Sequence, residues 1–332
     1  MTIIGLRHWT WGIIAGALLF PSVGFCHGVR YADLPRLPLY PHPYFDLPSH
    51  TVQITPKGYG KPITIHYKES GHGEPMLLIH GLMTSGYSFR YVIAGLSEHY
   101  RVIVPDLPGA GKSDAPADLS MTPQSMAEVI SAFISALGLQ KVYLVGNSLG
   151  GYETLWLALS NPEQVRRLAI LHSPVFPDFK MRALSVALAA PGAHALYNWL
   201  VRRNPRQFVI DNLHYYNPSI LSQQEVDEYA AIFHDPARTR VFWNILRQSM
   251  SPRHMHELAT RLREVGHEIT RTVPIVLLWA THDVLVSPDN GPRLQALIPD
   301  AGLIWFEQSS HFLQVDAPDR TVQRLLEFDS AE

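Results

Sequence analysis

The sequence is poor in charge, in cysteine and in long apolar runs. Only 17% of its 332 residues are charged, against about 25% in an average globular chain. The 27 basic residues nearly balance the 29 acidic ones. No basic field exists to hold a nucleic-acid backbone, and no acidic tail is present. The expected partner is a small molecule, not a polyanion. A single cysteine, Cys26, excludes an intrachain disulfide and every Cys-rich zinc pattern. Seventeen histidines are present, yet none falls in a His-Glu-x-x-His arrangement, and no motif asks for a metal or an organic cofactor. What the chain does have is apolar bulk: 46% of residues are hydrophobic. A chain of this length can bury a sizeable core without staples, and disordered, collagen-like and coiled-coil designs are excluded.

The one extended uncharged stretch runs from Trp9 to Cys26, behind Arg7 and His8, with GIIAGALLF (12–20) at its heart. A basic start, a short apolar segment and small residues beside Pro21 read as a secretory signal. Cleavage after Gly24 puts Ser22 and Gly24 at the small-residue positions, and cleavage after Cys26 is the alternative. A retained anchor is the main rival, although the run is marginal for a membrane span of about 20 residues. Lipidation of Cys26 fits poorly with Phe25 before it, and an N-terminal core helix is the remaining reading. The expected location is therefore periplasmic or secreted, or at a membrane through residues 9–26.

Residues 27–50 are rich in proline and aromatics and should run extended, as a linker or an arm lying on the body. From residue 51 strand-like and helix-like pieces alternate. TVQIT (51–55) and ITIHYKES (63–70) suit an antiparallel opening pair. MLLIH (76–80), RVIVPD (101–106), KVYLVG (141–146), RLAILH (167–172), PIVLLWA (274–280) and LIWFE (303–307) are short, apolar and β-rich, as strands buried on both faces of a parallel sheet are. Helical patterns at 88–98, 123–137, 149–160, 290–298 and 318–328 separate them. The expected fold is α/β, a doubly wound, mostly parallel eight-stranded sheet built from 51–172 and 274–332. Residues 173–273 break the rhythm and read as a helical lid over the sheet.

Gly146-Asn147-Ser148-Leu149-Gly150 stands between an apolar strand and an amphipathic helix. A turn that sharp holds the Ser148 hydroxyl above the sheet at a helix N-terminus, with the Leu149 N–H pointing at any oxyanion formed there. Serine needs a base within hydrogen-bond reach. His311 follows the last expected strand, and Asp283 follows the strand 274–280, where a carboxylate can set the tautomer of the base. Chain order is then Ser148, Asp283, His311. Asp178 is the alternative acid, and His282 a minor candidate. His80 and Gly81 turn the chain so that the Leu82 N–H faces the same point as the Leu149 N–H, making an oxyanion hole. His80 itself reads as a turn-stabilising residue, and Asp106 and Ser113 as fixing the loop 105–114.

HGLMTSGYSFR, DLPGAGKSD, GNSLGG, the Asp283 loop and HFLQVDAPD together resemble the α/β-hydrolase superfamily over residues 51–330. HFLQVDAP and the HG…TSxYSxR stretch are similar to the haloalkane dehalogenase and epoxide hydrolase branch, and GNSLGG to serine carbon–carbon hydrolases of ring-cleavage products. Three departures matter. Position 148 is serine where the first branch uses a carboxylate. Leu82 replaces the dehalogenase asparagine that helps bind halide. Phe312 stands where the carbon–carbon hydrolases have tryptophan.

The resulting expectation is a serine hydrolase of the carboxylesterase or lipase type. Ser148 attacks, His311 moves the proton, Asp283 orients His311, and the Leu82 and Leu149 amides hold the oxyanion. Carbon–carbon hydrolysis of the meta-cleavage type is the alternative, with cofactor-free perhydrolysis more remote. A non-catalytic ligand-binding module is the rival from another class. Of the apolar residues in the expected lid, Phe176, Leu184, Leu188, Leu196, Trp199, Phe233, Phe242 and Trp243 are candidates for either lid core or substrate contact.

Overall fold

The structure, a computed structural model, describes residues 28–330. The expected signal or anchor at 1–26 lies outside the described residues. Among those described, no helix is long and apolar enough to cross a membrane.

Eight strands form one sheet in the order β1-β2-β4-β3-β5-β6-β7-β8. They are β1 (Ser49–Ile54), β2 (Ile63–Ser70), β3 (Pro75–Ile79), β4 (Arg101–Pro105), β5 (Val142–Asn147), β6 (Val165–Leu171), β7 (Ile275–Ala280) and β8 (Gly302–Phe306). β2 runs antiparallel to both β1 and β4, and every other pairing is parallel. β5 and β7 are buried from end to end, and β3, β4 and β6 beyond their first residues, because both faces are covered. Met76 and Leu78 of β3 join one apolar cluster and Leu77 and Ile79 the other, as the twofold alternation of a strand requires.

The covering helices are α1 (Ile93–Ser97), α2 (Pro123–Ala136), α3 (Leu149–Ser160), α10 (Asn290–Gln295), α11 (Leu313–Asp316) and α12 (Pro318–Ser330), numbered in chain order with those that follow. The pattern at 88–98 forms less helix than expected. A 3₁₀ turn at Gly86–Phe89 comes first, and α1 starts only at Ile93. The Gly86 N–H is drawn to the Asp106 carboxylate at 3.0 Å, and Arg90 is drawn into the core.

Between β6 and β7 the chain leaves the sheet for α4 (Phe179–Ala189), α5 (Ala193–Arg203), α6 (Pro205–Asn212), α7 (Gln223–Ala230), α8 (Pro236–Gln248) and α9 (Pro252–Thr272). The starts of α6, α7 and α8 are written locally. Asn204, Ser222 and Asp235 accept N-terminal amides as caps, and proline follows at the first helical position of α6 and α8. The last helix of this insert departs from the expected lid boundary at 273. Met255, Leu258 and Leu262 of α9 pack in the same cluster as Ile275 and Leu277 of β7, so α9 belongs to a layer on the sheet.

Two devices tie the insert to the rest. The N-terminal arm crosses it: the Gln223 N–H donates to Pro35 O at 2.8 Å, and Tyr31 donates to Asp227 at 2.8 Å. Deeper, the fully buried Arg90 guanidinium lies 2.9 Å from Glu225 of α7 and sits 4.6 and 4.4 Å from the rings of Tyr87 and Tyr91. Tyr215 donates to the same carboxylate. Breaking a buried pair strands a charge, so Glu225→Ala should lower unfolding stability by about 3–5 kcal/mol. The apolar double replacement Arg90→Met/Glu225→Leu should recover most of that loss in denaturant titration.

Candidate active site

β5 ends at Asn147 and α3 begins at Leu149, leaving Ser148 as the whole connection, with φ 54° and ψ −121°. A non-glycine residue there is strained and persists only where its surroundings hold it. The holding bonds are visible. The Ser148 N–H donates to Leu171 O at 2.9 Å. The Asn147 side chain donates to Leu171 O at 3.2 Å and to His311 O at 3.1 Å, fastening this turn to the histidine loop. Among the described residues, Met83, His172 and Gln308 are the other non-glycine residues with positive φ. Met83 and His172 also follow the carboxyl ends of central strands, so strain collects at this edge of the sheet.

α3 presses directly on the end of β3. A Cβ on Gly150 would lie 2.3 Å from Ile79 O and 2.6 Å from His80 O, and one on Gly81 would lie 2.9 Å from the Ser148 Cβ. This backbone-to-backbone approach brings the Leu82 turn beside the first turn of α3, where the Leu149 N–H has no intrahelical acceptor. His80 serves the turn: its Nδ1–H donates to Gly81 O, and its Nε2 accepts the Leu107 N–H, both at 2.9 Å. Burial holds its pKa down, so it stays neutral. Asp106 and Ser113 are occupied similarly. Asp106 accepts from Gly86, Lys112 and His66, while Ser113 accepts the His66 N–H at 2.8 Å.

Asp283 follows β7 and His311 follows β8, and the His311 Nδ1–H donates to Asp283 Oδ2 at 2.5 Å. The other carboxylate oxygen accepts the N–H groups of Leu285 at 2.6 Å and Val286 at 2.9 Å. A second histidine, which the sequence reading did not single out, touches the same carboxylate. His172, at the end of β6, is fully buried with Nε2 3.0 Å from Asp283 Oδ2. Its Nδ1 accepts the Ala280 N–H at 2.9 Å, so Nε2 carries the proton and is shared with Val286 O at 2.9 Å. The ring stacks on Trp279, centroids 4.6 Å apart. Burial alone would push the Asp283 carboxyl up, but its electrostatic attraction to the His311 and His172 imidazoles and their hydrogen bonds to it outweigh burial and hold the group well below the usual carboxylate range.

The other acid and histidine candidates are engaged elsewhere. Asp178 caps α4, accepting the Met181 N–H at 2.8 Å. His282 is exposed, paired with Thr281 at 2.8 Å and set against the Tyr216 ring. Asp316, unforeseen, accepts the N–H groups of Ser310 and Tyr216 at 2.8 and 2.9 Å, so it pins the histidine loop to the insert. Burial pushes its pKa up to about 7.

Ser148 and His311 open into one cavity under the insert, with about 1210 Å³ of atom-free space including its mouth. Leu184, Tyr197, Phe208, Phe242, Leu246 and Met250 supply its apolar wall. Of the expected lid residues, Leu184 and Phe242 reach this cavity. Phe176, Leu188, Phe233 and Trp243 are buried in packing, Leu196 packs at the core's edge, and Trp199 is exposed. His214 also lines the cavity, and burial takes its pKa down to about 4, so it is neutral at physiological pH. Among the described residues, no cluster of His, Cys, Asp or Glu is placed to hold a metal.

A serine on a strand-to-helix turn, with a histidine–aspartate pair on the following loops of a doubly wound sheet, defines a hydrolase architecture. The chain belongs to the α/β hydrolase fold family, whose model matches residues 74–318. It is 29% identical over 272 residues to haloalkane dehalogenase 2 of Mycobacterium tuberculosis, covering 79% of this chain and 90% of that protein. It is 28% identical over 293 residues to the 2-hydroxy-6-oxo-6-phenylhexa-2,4-dienoate hydrolase of Burkholderia cepacia, covering 84% and 96%. The solved epoxide hydrolase CorEH superposes with a TM-score of 0.69 at 25% identity, covering 85% of this chain and 99% of that one.

Carbonyl oxygens cannot yield to a new Cβ, so Gly150→Ala must push α3 away from β3 and pull the Leu149 and Leu82 amides apart. We expect a stability loss of about 1–3 kcal/mol in thermal unfolding. Labelling of Ser148 by a fluorophosphonate should fall more steeply than folding does.

Proposed function

We propose that this hydrolase cleaves uncharged carboxylic esters through an acyl-enzyme, with helices α4 to α8 acting as a lid. One observation carries the reading. Ser148 and His311 face an apolar cavity whose charged lining is limited to Asp178 and Lys180, both exposed. A neutral ester can bury its chains there without stranding a charge. The M. tuberculosis relative is named for haloalkanes and the B. cepacia relative for a dienoate. A dienoate carries a carboxylate and needs a cation where that group lodges, and here Lys180 stands beside Asp178. The carbon–carbon reading keeps one specific support, the likeness to the B. cepacia enzyme. A turnover assay on a dienoate product of ring cleavage separates the two.

The steps follow from the groups present. Ser148 Oγ attacks the ester carbonyl as its proton passes to His311 Nε2, and the Leu82 and Leu149 N–H groups receive the oxyanion. Collapse expels the alkoxide, which takes the proton from His311 and leaves as the alcohol. Water, deprotonated by His311, then attacks the acyl-enzyme, and the acid departs with Ser148 reprotonated. Asp283 keeps Nδ1–H on His311 and balances the imidazolium. His172 is a positioning residue: it holds Asp283 from the side opposite the loop amides. The apolar segment at 9–26 supports export of the chain.

Hydrolysis of p-nitrophenyl butyrate should fall on the order of 10⁶ in Ser148→Ala and roughly 10⁴ in Asp283→Asn, where the histidine takes the wrong tautomer. His172→Phe keeps the stack on Trp279 but loses the donor to Asp283. It should lower kcat roughly ten- to a hundredfold with KM nearly unchanged, whereas a merely structural loss would lower the active fraction and leave kcat per labelled serine intact.

Haloalkanes should not turn over. Displacing halide needs a nucleophile already ionised at neutral pH, and the ether formed on Ser148 would offer water no carbonyl to attack. Sustained halide release from 1-bromobutane, lost in Ser148→Ala, would contradict this reading.

A further inference from the structure

Behind the oxyanion turn lies a second, smaller pocket, with about 410 Å³ of atom-free space including its open mouth. It meets the main cavity at Leu82, Met83 and Phe242, which line both. Its remaining wall is almost wholly apolar, including Leu107, Met126 and Ile245. Two titratable side chains line it. His80 has both ring nitrogens engaged. Glu153 does not: it is 1% exposed, and its Oε2 has no hydrogen-bond partner among the described residues.

A buried carboxyl without a partner forfeits the hydrogen bonds it makes to water in the unfolded chain, and an apolar residue of the same size at this position on α3 would avoid that loss. Burial pushes its pKa up to about 8, with no neighbouring charge contributing. It is therefore a neutral acid at pH 7, able to donate its O–H. Glu153 lies one turn along α3 from Leu149, about 6 Å at 1.5 Å per residue, and helical side chains lean back toward the N-terminus. A group anchored at the oxyanion turn thus reaches this acid with an arm of three or four atoms.

We propose that the small chamber is a second substrate subsite, taking a short uncharged arm with an acceptor oxygen, to which the Glu153 carboxyl donates. The long apolar part of the substrate would occupy the main cavity. The assignment rests on Ser148 being the nucleophile, and it applies equally to an arm on the acyl or on the alcohol side of the bond cleaved. Comparing butyl with 2-methoxyethyl hexanoate, and hexyl pentanoate with hexyl 3-methoxypropanoate, tells the two sides apart.

The test uses the full chain and two fluorophosphonates that share an octyl group and differ in one arm, n-butoxy or 2-methoxyethoxy. Rates of Ser148 modification are read by mass spectrometry. The ratio of rates, methoxyethoxy over butoxy, should be roughly tenfold larger in the wild type than in Glu153→Leu, which sets the intrinsic reactivity difference. Glu153→Gln, which still donates, should keep most of the preference. The wild-type preference should fade above about pH 8, where Glu153 ionises and loses its donor. Glu153→Leu removes an unpartnered polar group and should melt no lower than the wild type. An unchanged ratio in Glu153→Leu overturns the subsite, as does labelling of Ser148 by neither probe. If the preference holds while p-nitrophenyl esters are not turned over, the ester reading fails and the subsite stands.

Discussion

Helix α3 can start where it does only because β3 and α3 touch backbone to backbone. The contact of Gly150 with the carbonyls of Ile79 and His80 leaves no room for a side chain, and it sets everything at this edge of the sheet. It forces the chain from β5 into α3 through the single residue Ser148. It also places the Leu82 turn beside the N-terminus of α3, where free amide donors gather. The strain at Ser148 is held by bonds to β6 and to the histidine loop. Ser148 is thereby coupled to the His311 loop through Asn147 as well as across the cavity that both residues line.

A second concentration of polar groups supports the first. Asp283 gathers two loop amides, His311 and His172 around one buried carboxylate. Because β6 and β7 are neighbours in the sheet, a residue at the end of β6 can reach an acid just past β7, although the two are far apart in sequence. Asp316 extends the network to Tyr216 of the insert, and the buried Arg90–Glu225 pair anchors that insert from below. The insert above the cavity is tied through Asp316 to the loop that carries His311, so the position of the insert and of that histidine are linked by direct bonds.

Much of this was legible in the chain. The five strands β3 to β7 read clearly because burial on both faces demands apolar, β-branched runs, whereas 303–307, equally apolar in sequence, is the edge strand β8 and leaves Trp305 exposed. The insert helices announce themselves with caps and first-turn prolines. Ser148, Asp283 and His311 stood out because each follows a recognisable strand, and the sheet then brings His311 and Asp283 into contact. The helix expected at 88–98 came out shorter because Gly86 and Arg90 answer to Asp106 and Glu225, partners invisible to local periodicity. The insert's expected end at 273 differs for a similar reason: α9 has the same helical pattern as its predecessors, and only packing shows its apolar face joining the cluster that covers one face of the sheet.

The sequence by itself determined the strand-and-helix order, the serine turn and the loops that carry His311 and Asp283, because those depend on local sterics and on a topology that allows few arrangements. Only the tertiary structure decided that His172 supports Asp283 and that Glu153 faces a small apolar chamber without a partner. A histidine at a strand end and a glutamate within a helix look ordinary in the sequence. Their roles come from which elements surround them, since it is burial and the absence or presence of a hydrogen-bonding neighbour that turn a polar side chain into a functional one.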